Sequence, residues 1–179
     1  ILEKLSNHRS VELAIQRDRI APDLEGRLGV SMRLEANRRR FEDSILLESS
    51  GKWIAVNDFQ RELWSGASSG TGWLSASAPT ASGKTYLVLQ WLLDHIRTNK
   101  AKIAVFLAPT RALVSEIELS LKELSRSDAG LEITSLPLTD VYLSSTAGDK
   151  KAVFVFTQER LHLLANLLGE NFGVDLLIV

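Results

Sequence analysis

From residue 84 onward, apolar runs alternate with segments whose apolar residues recur at helical spacing. Residues 102–108 form a nearly continuous apolar run, as expected for a strand that is buried on both faces. The other segments of this pattern are helices from Lys84, from Thr110 and from Gln158 to Leu168, and strands at residues 131–136, 152–156 and 174–179. Such alternation predicts an α/β fold with a parallel sheet and helices on both faces.

The first fifty residues differ in character from the rest of the chain. Residues 1–20 and about 30–49 are charged and favour helices, and Pro and Gly residues separate them. We therefore expect a helical N-terminal accessory segment over residues 1–50, and a second domain over residues 51–179. The segment is a candidate surface for a protein partner.

A basic patch in this segment consists of Arg33, Arg38, Arg39 and Arg40. A solvated helix face is the favoured interpretation, and contact with nucleic acid is the alternative. The net charge of the chain is −1, so it lacks the strongly basic balance of a sequence-independent nucleic-acid binder. Any such contact should therefore be local.

Four further segments are predicted before and between the strands. A short helix should run from near Asn57 to Trp64, and a Gly/Ser-rich turn should follow at residues 65–72. Residues 73–78 are small or apolar and predict a short buried strand. Residues 137–151, which contain Pro and several Ser, predict an irregular connection.

Composition excludes several classes of protein. The 179 residues contain no cysteine, so disulfides and thiolate metal sites are excluded, which fits a cytoplasmic protein. No apolar run approaches the roughly 18 residues of a membrane span. The chain begins with Ile inside an apparent helix and stops inside an apolar strand pattern, so we expect it to be a piece of a longer protein.

A small-residue loop, residues 78–85, joins the predicted strand at 73–78 to the predicted helix at Lys84. It ends in Gly83-Lys84-Thr85. Small residues let backbone N–H groups approach anionic oxygens, a lysine reaches the terminal phosphates, and a hydroxyl at the helix start can hold Mg²⁺. Position 78 is Ala where the strict phosphate-loop pattern has Gly, and a flexible Ser/Ala-rich turn is the alternative interpretation.

Three loops of the predicted sheet should open on the same edge, because ligands of parallel sheets bind outside the carboxyl ends of the strands. They are residues 78–85, 109–111 and 157–160. The N–H groups at the start of each following helix favour anions. One loop suits the phosphates of ATP, and the other two suit the phosphates of a polynucleotide.

Several motifs resemble those of superfamily 2 (DEAD/DEAH-like) helicases. Residues 78–85 resemble motif I, which often opens with Ala, and Pro109-Thr110-Arg111-Ala112-Leu113 resembles motif Ia. Thr157-Gln158-Glu159-Arg160 is similar to the Thr-x-x-Arg motif. Asp58-Phe59-Gln60 resembles the glutamine motif, and residues 174–179 resemble the strand that leads into the Asp-Glu box. The resemblance implies the first RecA-like, P-loop motor domain of an ATP-dependent helicase or translocase.

The resemblance also implies a role for each motif residue. The amides of Thr80, Ala81, Ser82, Gly83 and Lys84, with the Lys84 ammonium, would bind the β- and γ-phosphates of ATP, and Thr85 would ligate Mg²⁺. Gln60 would read the adenine edge with Phe59 packed nearby. Polynucleotide contacts would come from Pro109, Thr110, Arg111, Thr157 and Arg160, and we expect DNA rather than RNA.

Ordinary structural roles compete with these assignments. Gln60 lies at the spacing of an N-cap partner of Asn57 and could serve only as a cap. Thr110 and Thr157 are good N-caps in their own right. The guanidinium groups of Arg111 and Arg160 could simply be solvated.

The sequence stops where the resemblance places the Asp-Glu box, and it lacks a second RecA-like domain. We therefore expect this domain to be incomplete, to bind nucleotide weakly by itself and to hydrolyse it negligibly, because its acidic residues and arginine fingers are missing. Two rival functions are a P-loop kinase for small molecules or nucleotides and a non-catalytic nucleotide-binding scaffold. Residues 157–161, together with the helical N-terminal segment, are also similar to bacterial helicases associated with phage defence.

Overall fold

A computed structural model describes residues 13–20, 26, 29–69, 72, 74–77, 83–148 and 150–179. The chain divides into two compact units, Ile1–Gly83 and Lys84–Val179. Within the first predicted helical segment, residues 13–16 are helical, and residues 1–12 lie outside the described part. The proposed division between residues 50 and 51 stays a prediction.

Between residues 29 and 69, the first unit contains two helices and a β-hairpin. Its elements are α1 (Val30–Glu42), β1 (Ser44–Leu47), β2 (Lys52–Ala55) and α2 (Asp58–Ser68). The two strands pair antiparallel, with Leu46 opposite Trp53. The Trp53 ring also contacts the Phe41 ring of α1 at 4.7 Å between centroids.

The hairpin corrects the prediction of a helix over residues 30–49, which is wrong from residue 44 onward. Ile45 and Leu47 are buried while Leu46 between them is exposed, and this period of two is the pattern of a strand with one buried face. Gly51 closes the turn at a φ of 64°, a conformation that glycine adopts without steric strain.

The region that precedes Gly83 also differs from the prediction. Helix α2 begins where expected but continues to Ser68, past the predicted end at Trp64. Residues 74–77 form no strand and are exposed, so the predicted buried strand over residues 73–78 is wrong for these four. No strand in the described part of the chain pairs with them. Residues 73 and 78 lie outside the described residues.

The second unit is a four-stranded sheet with helices on both faces. Its helices are α3 (Lys84–Arg97), α4 (Arg111–Leu124), α5 (Thr139–Ala147) and α6 (Gln158–Leu168), and its strands are β3 (Ile103–Leu107), β4 (Leu131–Thr134), β5 (Lys151–Phe156) and β6 (Leu176–Ile178). The strand order is β4-β5-β3-β6, and every pair is parallel. The predicted parallel α/β sheet is confirmed.

Each face of the sheet has its own core. On one face, Leu92 of α3 and Ile117 of α4 pack with Ala104 and Val153. On the other face, Tyr142 of α5 and Leu164 of α6 pack with Phe154. Residues 152–156 of β5 are fully buried on both sides, which explains why the apolar runs are continuous rather than alternating.

Contacts at the helix ends show which way the helices run. The ammonium of Lys151, at the start of β5, lies 2.6 Å from the carbonyl oxygen of Ile96 near the end of α3. Arg97 donates to the carbonyl of Leu124 at the end of α4 at 2.9 Å. Both helices therefore end at the amino edge of the sheet and begin at its carboxyl edge.

Helix α5 replaces the irregular connection predicted for residues 137–151. Its Ser and Thr content gives a weak helical signal, and tertiary packing stabilises it. Tyr142 is buried, and its hydroxyl lies 3.0 Å from the Asn171 carbonyl oxygen, 2.8 Å from that of Gly173 and 2.7 Å from the Gly173 nitrogen. Gly148 ends the helix at a φ of 92°.

Among the described residues, no helix combines the length and apolar character that a membrane crossing requires.

Tyr142→Phe should destabilise the protein by about 1–3 kcal/mol, because it removes the hydrogen bonds of the Tyr142 hydroxyl to Asn171 and Gly173, each worth about 0.5–1.5 kcal/mol. The free energy of unfolding in urea measures this. Tyr86, which is half-exposed on α3, provides the matched control, and Tyr86→Phe should change the free energy by less than about 0.5 kcal/mol. Equal effects of the two substitutions would contradict the role given to Tyr142.

Candidate functional site

The start of α3 carries the end of the candidate phosphate loop. Lys84 is the first helical residue and is half-buried, and Thr85 follows it in an exposed position. Gly83 precedes the helix at a φ of 74°, where a side chain would be strained. The predicted phosphate-binding residues Thr80, Ala81 and Ser82 lie outside the described residues.

The first turn of α3 suits an anion. The first N–H groups of a helix have no intrahelical acceptor, and they carry the positive end of the helix dipole. No acidic residue lies in this turn to compete for them. The Thr85 hydroxyl supplies an oxygen of the kind that Mg²⁺ binds, and Mg²⁺ takes most of its other ligands from phosphates and water.

In the described part of the chain, no cluster of three or more His, Asp or Glu residues could hold a metal ion. A magnesium ion at this turn would therefore depend on the Thr85 hydroxyl and on the phosphates of a bound nucleotide. This is how Mg²⁺ is usually held in phosphate-transferring sites, through one or two protein ligands together with substrate oxygens. The residues present fit such an ion.

The start of α2 forms a reciprocal capping box. Asn57 Oδ1 accepts from the Gln60 backbone N–H at 2.8 Å, and Gln60 Oε1 accepts from the Asn57 N–H at 3.1 Å. The capping interpretation of Gln60 is thus confirmed for its oxygen. Phe59, predicted to pack near an adenine, is half-buried beside it.

The amide nitrogen of Gln60 faces Gly83. A Cβ atom built on Gly83 would lie 2.5 Å from Gln60 Nε2, which is shorter than real Cβ contacts. The two predicted nucleotide-binding positions therefore lie next to each other within the first unit. Glycine at position 83 is required both by its backbone angle and by this close approach.

Gly83→Ala should destabilise the first unit more than Gly72→Ala. Both positions have positive φ, and alanine there costs about 1 kcal/mol or more. At Gly72 a Cβ would meet no heavy atom of the described residues within 4 Å, whereas at Gly83 it would displace the Gln60 amide and break a capping hydrogen bond worth about 0.5–1.5 kcal/mol. Urea unfolding measures the difference, and equal losses would contradict the close approach.

The loops that follow β3 and β5 lie side by side. Leu107 is in register with Phe156, and the Ala108 N–H donates to the Phe156 carbonyl at 2.8 Å. Pro109, Thr110 and Arg111 are exposed there. Thr110 caps α4 by accepting from the Leu113 N–H at 3.3 Å, so its predicted N-cap role is confirmed.

Thr157 lies at the N-cap position of α6, but its side chain makes no capping hydrogen bond. It instead hydrogen-bonds to the Glu159 carboxylate. This bond, together with the Glu159 backbone N–H and the nearby charge of Arg111, lowers the pKa of Glu159 below its ordinary value. The side chains of motif Ia and of the Thr-x-x-Arg motif therefore approach the same carboxylate, to which the motifs assign no role.

Arg160 is half-buried and is bonded within the protein. Its Nη1 donates to the Ser135 carbonyl oxygen at 2.7 Å, so the interpretation of Arg160 as simply solvated is wrong. Ser135 follows β4 and also hydrogen-bonds to Glu118 of α4 through its backbone and its side chain. Neither partner was identified from the sequence, because both belong to contacts that are remote along the chain.

Asp175 has a structural role at the opposite edge. Its Oδ2 accepts from the backbone N–H groups of Lys102 at 2.8 Å and of Ile103 at 2.9 Å, and these two bonds align β6 with the start of β3. The predicted strand over residues 174–179 is confirmed in its central part, Leu176–Ile178.

A sequence profile of the family described as DEAD/DEAH box helicase matches residues 57–179. The match covers more than half of the chain, and it includes the capping box of α2, the start of α3 and the whole parallel sheet. No curated protein matches the chain.

Proposed function

Because the chain belongs to the DEAD/DEAH box helicase family, we propose that residues 83–85 bind the phosphates of ATP with Mg²⁺, and that the carboxyl edge of the sheet binds a polynucleotide. The family match confirms the resemblance found from the motifs and gives the chain a helicase-type ATP-binding domain with a RecA-like α/β fold. The single observation that supports the ATP site is the helix start at Lys84, with glycine before it and a hydroxyl after it.

Each residue of this turn has a distinct task in the proposal. The amides of the first turn orient the phosphates, and the Lys84 ammonium neutralises the charge of the terminal ones. The Thr85 hydroxyl supplies one ligand to Mg²⁺. The ion would neutralise phosphate charge during phosphoryl transfer.

The proposed polynucleotide contacts come from two helix starts on neighbouring strands. Thr110 and Arg111 begin α4, and Thr157 precedes α6, so their hydroxyl, guanidinium and backbone amide groups can bind successive phosphates of one strand. The resemblance adds Pro109 and Arg160 to this set. DNA as the polynucleotide and a role in phage defence are further proposals that rest on resemblance alone.

Two rival functions stay open to experiment. A P-loop kinase also carries Gly-Lys-Thr at the start of a helix, but it gives no reason for a Pro-Thr-Arg sequence beside Thr157. A nucleotide-binding scaffold would bind ATP without turnover. ATP hydrolysis by the full-length protein separates these functions: a helicase should be stimulated by a polynucleotide, a kinase by a small acceptor, and a scaffold by neither.

Lys84→Ala should weaken ATP binding at least about tenfold, because it removes charge-assisted hydrogen bonds worth about 1.5–3 kcal/mol each. It should also abolish ATP hydrolysis by the full-length protein. Titration with a fluorescent ATP analogue measures the affinity. Lys150→Ala removes an exposed lysine of the same unit and serves as the control. Full ATPase activity in Lys84→Ala would refute the proposed site.

Gln60→Glu separates the two roles of this side chain. Glutamate retains the oxygen that caps Asn57, so the stability of α2 should be preserved. It removes the amide N–H donor, so the preference for ATP over GTP should fall roughly threefold to tenfold, the value of one hydrogen bond. Competition binding of the two nucleotides measures the preference. An unchanged preference would show that Gln60 acts as a cap only.

A further inference from the structure

Ser135, the first residue after β4, is bonded from two helices at once. Arg160 of α6 donates to its carbonyl oxygen at 2.7 Å. Glu118 of α4 accepts hydrogen bonds from its backbone and its hydroxyl, and Lys122 lies 2.6 Å from the Glu118 carboxylate. The turn itself is closed by the Leu136 N–H, which donates to Thr134 Oγ1 at 3.0 Å.

The charge state of Glu118 is set by these bonds. Partial burial acts to raise its pKa, but the hydrogen bonds and charge of Lys122 and the hydrogen bonds of Ser135 outweigh burial and lower the pKa below its ordinary value. The carboxylate is therefore ionised at neutral pH, and it is a full acceptor for Ser135.

The two helices that meet at Ser135 lie on opposite faces of the sheet. Ile117 of α4 belongs to one core, and Leu164 of α6 belongs to the other. The same helices begin with the residues proposed to bind the polynucleotide, Thr110 and Arg111 on α4 and Thr157 before α6. Ser135 thus connects α4 and α6 around the edge of the sheet. In the proposed function, the starts of these two helices bind the same polynucleotide strand.

We propose that Arg160 and Glu118 are positioning residues, which hold the starts of α4 and α6 at the spacing that one polynucleotide strand requires. This inference rests on the proposed function, and it assigns Arg160 to the Ser135 carbonyl instead of to a phosphate. The Arg160 side chain acts through Ser135 in the loop after β4, and Glu118 acts on Ser135 from the other face of the sheet.

Salt dependence distinguishes positioning from phosphate contact. Each cation that contacts a phosphate adds about 0.7 to the slope of log affinity against log salt for single strands, and about 0.9 for duplex DNA. A residue that only positions others changes the affinity and leaves this slope unaltered. For Glu118 the two effects predict opposite changes in affinity. Removing its negative charge should tighten binding to a polyanion by charge alone, whereas loss of positioning should weaken binding.

The test is oligonucleotide binding by fluorescence anisotropy over a series of salt concentrations, with the unmodified protein, Arg160→Ala and Glu118→Gln. Both variants should bind roughly threefold to tenfold more weakly, at an unchanged slope. Arg111→Ala is the comparison for a phosphate contact and should lower the slope by about 0.7–0.9. Glu123→Gln, an exposed glutamate of the same helix, controls for charge and should not weaken binding.

A lowered slope for Arg160→Ala would show a phosphate contact and overturn the proposal, as would unchanged or tighter binding by Glu118→Gln. If Arg160→Ala has lost its fold, as judged by circular dichroism, Glu118→Gln decides the matter, because glutamine keeps the shape of the side chain. An unmodified protein that binds no oligonucleotide would refute the proposed function itself, and the inference with it.

Discussion

The parallel register of β3 and β5 is the constraint on which the proposed polynucleotide edge depends. Leu107 opposes Phe156, and the hydrogen bond from the Ala108 N–H to the Phe156 carbonyl carries the pairing one residue beyond the strands. Because parallel strands end at the same edge, the two helices that follow must begin there together. Burial of both faces of β5 makes a slip of this register costly, since every side chain would change sides.

The sequence alone predicted the strands and helices of the second unit well, because continuous apolar runs and helical periodicity are strong local signals. It predicted α5 poorly, because Ser and Thr favour no helix and the stabilising contacts of Tyr142 come from residues about thirty positions away. The hairpin of β1 and β2 was missed because its strands have only four residues each. Such short alternations are easily read as part of a charged helix.

In the candidate site too, local features were predicted from the sequence and remote contacts were missed. The positions of Gly83, Lys84 and Thr110 at helix starts follow from local pattern and were predicted. The bonds of Ser135 to Arg160 and Glu118 join three separate elements, and no spacing in the sequence encodes them. The capping box of Gln60 was foreseen as an alternative to nucleotide contact, yet its amide nitrogen also faces Gly83, so the two interpretations concern different atoms of one side chain.

The proposed ATP site depends on the first turn of α3, whose backbone N–H groups would contact the phosphates. Amide hydrogen exchange at Thr85 and Tyr86, with and without Mg²⁺ and ATP, tests this contact directly, because N–H groups in the first turn of a helix have no acceptor within the helix. We expect fast exchange in the free protein and clear protection when the nucleotide is bound. Exchange that is unchanged by saturating nucleotide would contradict the proposed contact.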